Sequence, residues 1–303
     1  MASSPPAGSE PATEAPTPAP VPVTLEADDP EALIDDGDSA LGSEPGSSTT
    51  SLASSITRYR IENGRTYHAY KDGKYAYPND DMEQERLDLQ HHICSLTFDG
   101  YSLGIDLSPI QPMFTPPNAI FQVDDLEEEW TFDDNEAFDF IHARMMTGSL
   151  GDWDRFFDQA WNNLKPGGYI ELLDILLPVS CADDTLKPDS ALLKWSQLLL
   201  EGSIIAGRDL NSALTCKEKL EKRGFQGVHQ AIYKWPGNRW PKNAKAKEIG
   251  MWHQENLTSG LMGLSVAIFT RLLGWNVEEL ELFLVDVRRE MKDTSIHAYW
   301  SIL

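Results

Sequence analysis

The strongest constraint on the fold of this chain is an alternation of short apolar strands with helices, which begins at residue 101. Strands are predicted at 101–106, 119–124 and 138–143, and a helix with one apolar face follows at 152–164. Residues 169–174 (YIELLD) then form a fourth strand, whose nearly continuous apolar run is typical of a strand covered on both faces. This order predicts an α/β fold with helices on both faces of the sheet.

The segments on either side of this alternation are less regular. Residues 58–78 are rich in tyrosine and predict a partly extended segment, after which Asp80 and Glu83 are spaced as a capping box for a helix over 81–96. Its apolar stripe would contain Met82 and Ile93. Residues 185–275 predict a largely helical cap that contains five tryptophans.

Charge is distributed very unevenly along the 303 residues. The formal net charge is −23, and residues 1–55 carry ten acids, no Lys or Arg, nine of the 19 prolines and no aromatic residue. A segment of this kind buries too little apolar surface to offset the entropy of ordering it. We therefore predict a disordered acidic tail over 1–55 and one domain over 56–303.

Composition also excludes several classes of partner. A strongly acidic chain lacks the basic surface that a general grip on nucleic acid requires. No apolar run approaches the roughly 20 residues that cross a bilayer, and no secretory signal is visible. The three cysteines show no Cys-x-x-Cys spacing, and the adjacent His91 and His92 would project about 100° apart on a helix, so no metal site is predicted. An intracellular protein follows, in the cytoplasm or the nucleus.

Acidic residues end two neighbouring predicted strands. Asp106 ends the first strand, and Asp125 follows the second. In open α/β sheets ligands bind beyond the carboxyl ends of the strands, where one carboxylate can accept the ribose hydroxyls of a nucleoside and another the amine of adenine. The alternatives are that Asp106 begins a helix beside Ser108, and that Asp125 lies in a solvated acidic loop.

Two blocks in this order, GIDLSPIQP at 104–112 and LKPGGYIEL at 164–172, resemble the fungal LaeA-like methyltransferases, and the resemblance covers 56–303. It implies a class I, Rossmann-like fold that uses S-adenosylmethionine (SAM). It further implies that Asp106 holds the ribose, that Asp125 and Leu126 flank the adenine, and that His142 and Arg144 border the site. Arg144 is then a cofactor-binding candidate and His142 a candidate base, although a strand-end histidine bonded to backbone is an equal alternative.

The chain departs from this family at the glycine-rich loop that approaches the cofactor. A strand, a turn and a helix need about 25–35 residues, yet only residues 96–104 separate the helix at 81–96 from the end of the strand at Asp106. Gly100 and Gly104 do not have the spacing of such a loop. The first strand and its helix are therefore predicted to be absent, through a skipped exon, a faulty gene model or a degenerate paralogue.

Two functions remain open at this stage. The first is a SAM-dependent methyltransferase of fungal secondary metabolism, with a small-molecule or protein acceptor and with activity impaired by the missing loop. The second is a non-catalytic methyltransferase-like scaffold that binds regulatory protein partners. A nicotinamide-dependent oxidoreductase would share the strand-end acid but lacks the fingerprint loop.

Overall fold

A computed structural model describes residues 25–26, 59–98, 123–132 and 138–303 of the chain. The predicted acidic tail, except for residues 25–26, lies outside the described residues. So do the predicted strand at 101–106, with Asp106, and most of the predicted strand at 119–124.

The described domain begins with a small hairpin and a long helix. Strands β1 (Arg60–Glu62) and β2 (Arg65–Tyr67) pair antiparallel around Asn63-Gly64, and both turn residues have positive φ, as a type I′ hairpin turn requires. Helix α1 spans Asp81–Phe98. The N–H of Glu83 donates to Oδ1 of Asp80 at 3.1 Å, so the predicted cap of this helix is confirmed.

The buried face of α1 is apolar toward its end, where Ile93 is buried as predicted, and polar at its start. Met82 is 60% exposed, so the predicted apolar stripe is wrong at that residue. Glu83 and Arg86 are buried instead, with Arg86 Nη2 2.5 Å from Glu83 Oε1 and Arg86 Nη1 3.1 Å from Oδ1 of Asn256 on the facing helix α5 (Ala244–Ala267). A paired and hydrogen-bonded charge can be buried where an isolated one cannot.

Two parallel strands and one helix form the centre of the described fold. Strand β3 spans Phe138–Arg144, helix α2 spans Trp153–Asn163, and strand β4 spans Leu164–Leu173. An irregularity at 165–168 interrupts the pairing: Leu164 faces Phe138, the next pair is Tyr169 with Phe140, and Gly167 has φ 84°. Helix α2, predicted over 152–164, begins after Asp152, whose side chain accepts from Arg155 N–H and caps the helix.

A second sheet continues from the end of β4. Its strands are β5 (Ile175–Cys181), β6 (Tyr233–Pro236) and β7 (Ala298–Ile302), in the order β5–β7–β6 with antiparallel pairs. Asp174 joins the two sheets, because its backbone N–H and C=O exchange hydrogen bonds of 2.9 and 2.8 Å with Leu303.

Helices pack around this second sheet. They are α3 (Ala191–Ile205), α4 (Ala213–Lys222), α5, which continues as a π-helical turn at Ile268–Leu272, and α6 (Val277–Lys292). A capping box of Asn276 and Glu279 starts α6. No helix among the described residues is long and apolar enough to span a membrane.

The two faces of the β3–β4 pair have different surroundings. Ala143 packs against Phe156 and Phe157 of α2 in one buried cluster. On the other face Phe140 is 49% and Tyr169 74% exposed, and they line part of an open groove of about 1380 Å³ that also reaches Ile170 and Leu172 on the α2 side of β4. The expected burial of this strand on both faces is therefore wrong at Tyr169 among the described residues.

Candidate functional site

An acidic turn lies beyond the carboxyl end of β3, against the first turn of α2. Oε1 of Glu127 accepts from the N–H groups of Gly151 and Asp152 at 2.7 and 2.9 Å. These amides directly precede Trp153, the first residue of α2. The start of a helix carries partial positive charge, which favours a carboxylate there. The turn that contains Asp125 is thereby held at the sheet edge where α/β proteins bind ligands.

Asp125 is a buried carboxylate, and both of its oxygens have donors. Its side chain is 4% exposed; Oδ1 accepts from the N–H of Glu127 at 3.0 Å, and Oδ2 accepts from the ammonium of Lys74. Lys74 comes from the tyrosine-rich segment before α1, 51 residues away in sequence. The alternative of a solvated acidic loop does not describe Asp125, because this acid is buried and paired.

Leu126 connects the acidic turn to the core on the α2 side of the sheet. Its side chain packs on the cluster that contains Ala143 and Trp153. Its carbonyl oxygen accepts from Nε1 of Trp130 and from Nε2 of Gln159, both at 3.1 Å. The position of Leu126 is therefore fixed by both apolar packing and hydrogen bonds.

Glu127 connects four segments of the chain, and sequence reasoning did not select it. Besides the two amides at the start of α2, it binds Lys74 Nζ at 2.9 Å and Arg208 Nη2 at 3.1 Å. Burial opposes its ionisation, but the hydrogen bonds from Lys74 and from the amides of Asp152 and Gly151, with the charge of Arg208, lower the pKa of Glu127 to about 2. The only sequence signal was its place in an acidic run.

The structure places His142 and Arg144 on the opposite face of β3 from Leu126. Nδ1 of His142 donates to Oε2 of Glu171 at 2.8 Å, because a carboxylate can only accept. Arg144 Nη1 donates to Nδ1 of His91 at 3.0 Å. Both side chains line the open groove with Tyr169, whereas the lining of this groove does not include Asp125 or Leu126. The predicted site residues thus form two groups rather than one.

Asp174 is a third strand-end acid that sequence reasoning did not select as a site residue. It follows β4 directly, it is 1% exposed, and its Oδ1 accepts from the N–H of Thr147 at 2.8 Å. Its Oδ2 has no partner among the described residues. Burial raises the pKa of Asp174 to about 7 against the opposing hydrogen bonds from the amides of Thr147 and Met146. Its place at the end of YIELLD, like that of Asp106 at the end of its strand, was the available signal.

Asp125 and Leu126 are the described residues that could meet the adenine of a nucleoside cofactor. A carboxylate has about four acceptor positions, and Asp125 uses two of them on Lys74 and Glu127. A buried, fixed acceptor beside an apolar side chain such as Leu126 suits the amine and the flat face of adenine. No group of three or more His, Cys, Asp or Glu side chains able to bind a metal occurs in the described part of the chain.

Comparison with known proteins identifies relatives. Residues 91–230 match the family model of the methyltransferase domain. The chain is 33% identical over 293 residues to methyltransferase pytC of Aspergillus terreus, which covers 85% of this chain and 90% of that protein. It is 32% identical over 283 residues to the secondary metabolism regulator LAE1 of Cochliobolus heterostrophus, and this alignment covers 80% of this chain and 92% of that protein. It is 29% identical over 276 residues to the secondary metabolism regulator laeA of Monascus pilosus, and this alignment covers 78% of this chain and 74% of that protein.

Each alignment has more positions than the number of residues of this chain that it includes. For pytC, 85% of 303 residues is about 258 residues, which is about 35 fewer than the 293 aligned. For LAE1, 80% is about 242 residues against 283 aligned. Each relative therefore has a number of residues without a counterpart here, and that number is close to the length of one strand, turn and helix.

Proposed function

Because this chain belongs to the LaeA-like methyltransferases of fungi, we propose that it is a SAM-dependent methyltransferase whose cofactor affinity is reduced. The observation that carries the proposal is the buried Asp125 carboxylate, held beyond the carboxyl end of β3 against the start of α2. That position and that chemistry are what the adenine of a nucleoside cofactor requires. The methyltransferase-like domain would span 56–303, behind the acidic tail at 1–55.

Asp106, Asp125 and Leu126 would hold the nucleoside of this cofactor, and Arg144, on the other face of β3, would reach its amino-acid part around the end of that strand. Asp125 accepts the adenine amine and Leu126 packs on the ring, while Asp106 accepts the ribose hydroxyls. Arg144 lies at the end of β3, where a guanidinium can bind the carboxylate of the amino-acid part of the cofactor. When bound, SAM supplies a methyl group on a positively charged sulfur, ready for in-line displacement.

The chain itself positions the acceptor and removes its proton. His142 is the candidate base: Glu171 accepts from its Nδ1, which leaves the lone pair on Nε2 available to the open groove. An acceptor that uses His142 must therefore approach from this groove and reach past the end of β3 to the cofactor. Acceptor molecules of either kind, a small metabolite or a protein side chain, fit an open groove of about 1380 Å³.

The reduced affinity follows from the short connection after α1. Helix α1 continues to Phe98, so only residues 99–105 remain before Asp106. A glycine-rich turn between a strand and a helix lets backbone amides approach a ligand closely, and this interval is too short for it. The residues of pytC and LAE1 that have no counterpart in this chain support a loss of this unit.

A non-catalytic scaffold is the second candidate. Its support is that two relatives, LAE1 and laeA, are named secondary metabolism regulators, together with the missing cofactor unit. A scaffold of this kind would bind regulatory protein partners inside the cell, in the cytoplasm or the nucleus, and would not need SAM.

Calorimetric titration of SAM into the full chain separates the two candidates. The enzyme proposal predicts measurable binding that Asp106→Ala and Asp125→Ala each abolish. Glu129→Ala, an exposed acid of the same run, is the matched control and should bind like the unchanged chain. Absence of heat at millimolar SAM would contradict the enzyme proposal and favour the scaffold, and unchanged binding by Asp106→Ala would contradict the ribose assignment.

A further inference from the structure

The ammonium of Lys74 lies between two carboxylates of the acidic turn. It pairs with Oδ2 of Asp125, and its Nζ is 2.9 Å from Oε2 of Glu127. The Lys74 side chain is 23% exposed, so solvent and salt screen these contacts less than those of a surface pair. Burial opposes the charge, but the hydrogen bonds to Asp125 and Glu127 raise the pKa of Lys74 above its ordinary value.

Lys74 and the Glu127 amide together fix the direction of the Asp125 carboxylate. One donor engages each oxygen, so the plane of the carboxylate cannot rotate without breaking a charge-assisted bond. The acceptor positions that remain then point in fixed directions. Without Lys74, the buried carboxylate would keep a single backbone donor and only the more distant charge of Lys71, which is costly in a site with little solvent.

A second lysine in the same segment provides an internal comparison. Lys71 pairs with Glu128 at 2.5 Å. In sequence, Lys71 lies three residues before Lys74, and Glu128 lies three residues after Asp125. Both of these side chains are well exposed, so the pair contributes little. Lys71 therefore has the same charge and the same segment, but no contact with Asp125 among the described residues.

We propose that Lys74 is a positioning residue that makes the site select adenine. Resting on the proposed function, this proposal assigns to Lys74 the task of holding Asp125 so that its free acceptor positions meet the adenine amine. The deaminated base presents an oxygen acceptor where adenine presents that amine, so a fixed carboxylate must reject it. A carboxylate that can rotate discriminates less, because it can turn away from the mismatched oxygen.

The test compares two nucleoside probes on four forms of the full chain. S-adenosylhomocysteine and its deaminated analogue S-inosylhomocysteine are titrated into the unchanged chain, Lys74→Gln, Lys74→Arg and Lys71→Gln. We expect the unchanged chain to prefer the adenosyl probe by about tenfold or more. Lys74→Gln should lose most of this preference, while Lys74→Arg and Lys71→Gln should keep it. If Lys74 had a merely structural role, Lys74→Gln would weaken the binding of both probes equally and leave the ratio of their affinities unchanged. That result would overturn the proposal.

A measurement without ligand separates this proposal from the proposed function. If no form binds either probe, the proposed function fails, and hydrogen exchange of the backbone amides of Glu127 and Glu128 then decides whether Lys74 orders the turn. Lys74→Gln should accelerate this exchange about tenfold or more, whereas Lys71→Gln should not. Equal exchange in the two variants would overturn the positioning role.

Discussion

The carboxylate of Asp174 accepts a hydrogen bond of 2.8 Å from the backbone N–H of Thr147. This contact joins the end of β4 to the loop between β3 and α2. Thr147 in turn donates from its hydroxyl to the carbonyl of Leu210 at 3.1 Å, and Arg208 contacts both Ser149 O and Glu127. The loops at the carboxyl edge of β3 and β4 are thus cross-linked to one another and to the acidic turn that contains Asp125.

Replacing Asp174 by Asn should remove a pH dependence of stability. The pKa of this acid is raised to about 7 in the folded chain by burial, so the folded state binds more protons than the unfolded state and loses stability as pH rises from about 4 to 7. Asn keeps an acceptor for Thr147 without the charge. We expect Asp174→Asn to be about 2 kcal/mol more stable than the unchanged chain at pH 8 in urea unfolding. Equal slopes of stability against pH between 5 and 8 would contradict this.

Replacing Glu127 by Gln should destabilise the domain with the opposite pH dependence. The pKa of Glu127 is lowered to about 2, so its contribution is present above pH 4.5 and is lost as pH falls toward 2. Loss of the charge leaves Lys74 and Arg208 partly uncompensated, which should cost about 2 kcal/mol at pH 7. The exposed neighbour in Glu128→Gln is the control and should change unfolding by less than about 0.5 kcal/mol. Similar losses in both variants would disprove the special role of Glu127.

Acid should also lower the stability of the fold at His253, which lies away from the candidate site. It is buried between the rings of Trp235 and Trp300, with centroids 5.3 and 5.1 Å away, and neither ring nitrogen has a partner among the described residues. Burial, with a smaller effect of Arg86, lowers the pKa of His253 to about 3.

Replacing His253 by Phe should therefore stabilise the folded chain most at mildly acidic pH. The unfolded chain takes up a proton near pH 6.5 and the folded chain does not, so stability falls as pH drops from about 6.5 toward 3. A neutral ring of similar size avoids this loss. We expect the advantage of His253→Phe over the unchanged chain to be larger at pH 5 than at pH 8, as measured by urea unfolding at both pH values. An advantage that does not vary with pH would contradict a neutral buried histidine.

The missing cofactor unit gives a prediction about the transcript. We expect messenger RNA from the source organism to contain an in-frame segment of about 35 codons between the codons for Leu96 and Asp106, with several glycine codons. The number follows from the excess of aligned residues over covered residues in pytC. Sequencing across this junction is the measurement. An uninterrupted junction in all transcripts would disprove the faulty gene model and leave a degenerate paralogue.

Local patterns predicted the parts of the fold that depend on neighbouring residues. Strand β3, helix α2, and the cap that Asp80 provides for α1 each follow from spacings of a few residues. Methyltransferase family membership also followed from short blocks of sequence, and the relatives confirm it.

Contacts between distant segments could not be predicted in the same way. Hydrophobic periodicity assigned Met82 to the buried face of α1, but the helix buries the Glu83–Arg86 pair against Asn256, 170 residues from Arg86. Likewise, no spacing in the sequence connects Lys74 with Glu127, or Glu127 with Arg208. The separation of His142 from Leu126 follows from the alternation of side chains along β3, which becomes informative only once the packing of α2 is known.

A crystal structure of the full chain with S-adenosylhomocysteine tests the central claim most directly. The account predicts the adenine amine within hydrogen-bond distance of the Asp125 carboxylate, the ring against Leu126, and the ribose hydroxyls on Asp106. A nucleoside bound elsewhere, for example between Phe140 and Tyr169 in the open groove, or carboxylates of Asp106 and Asp125 that face different cavities, would contradict it.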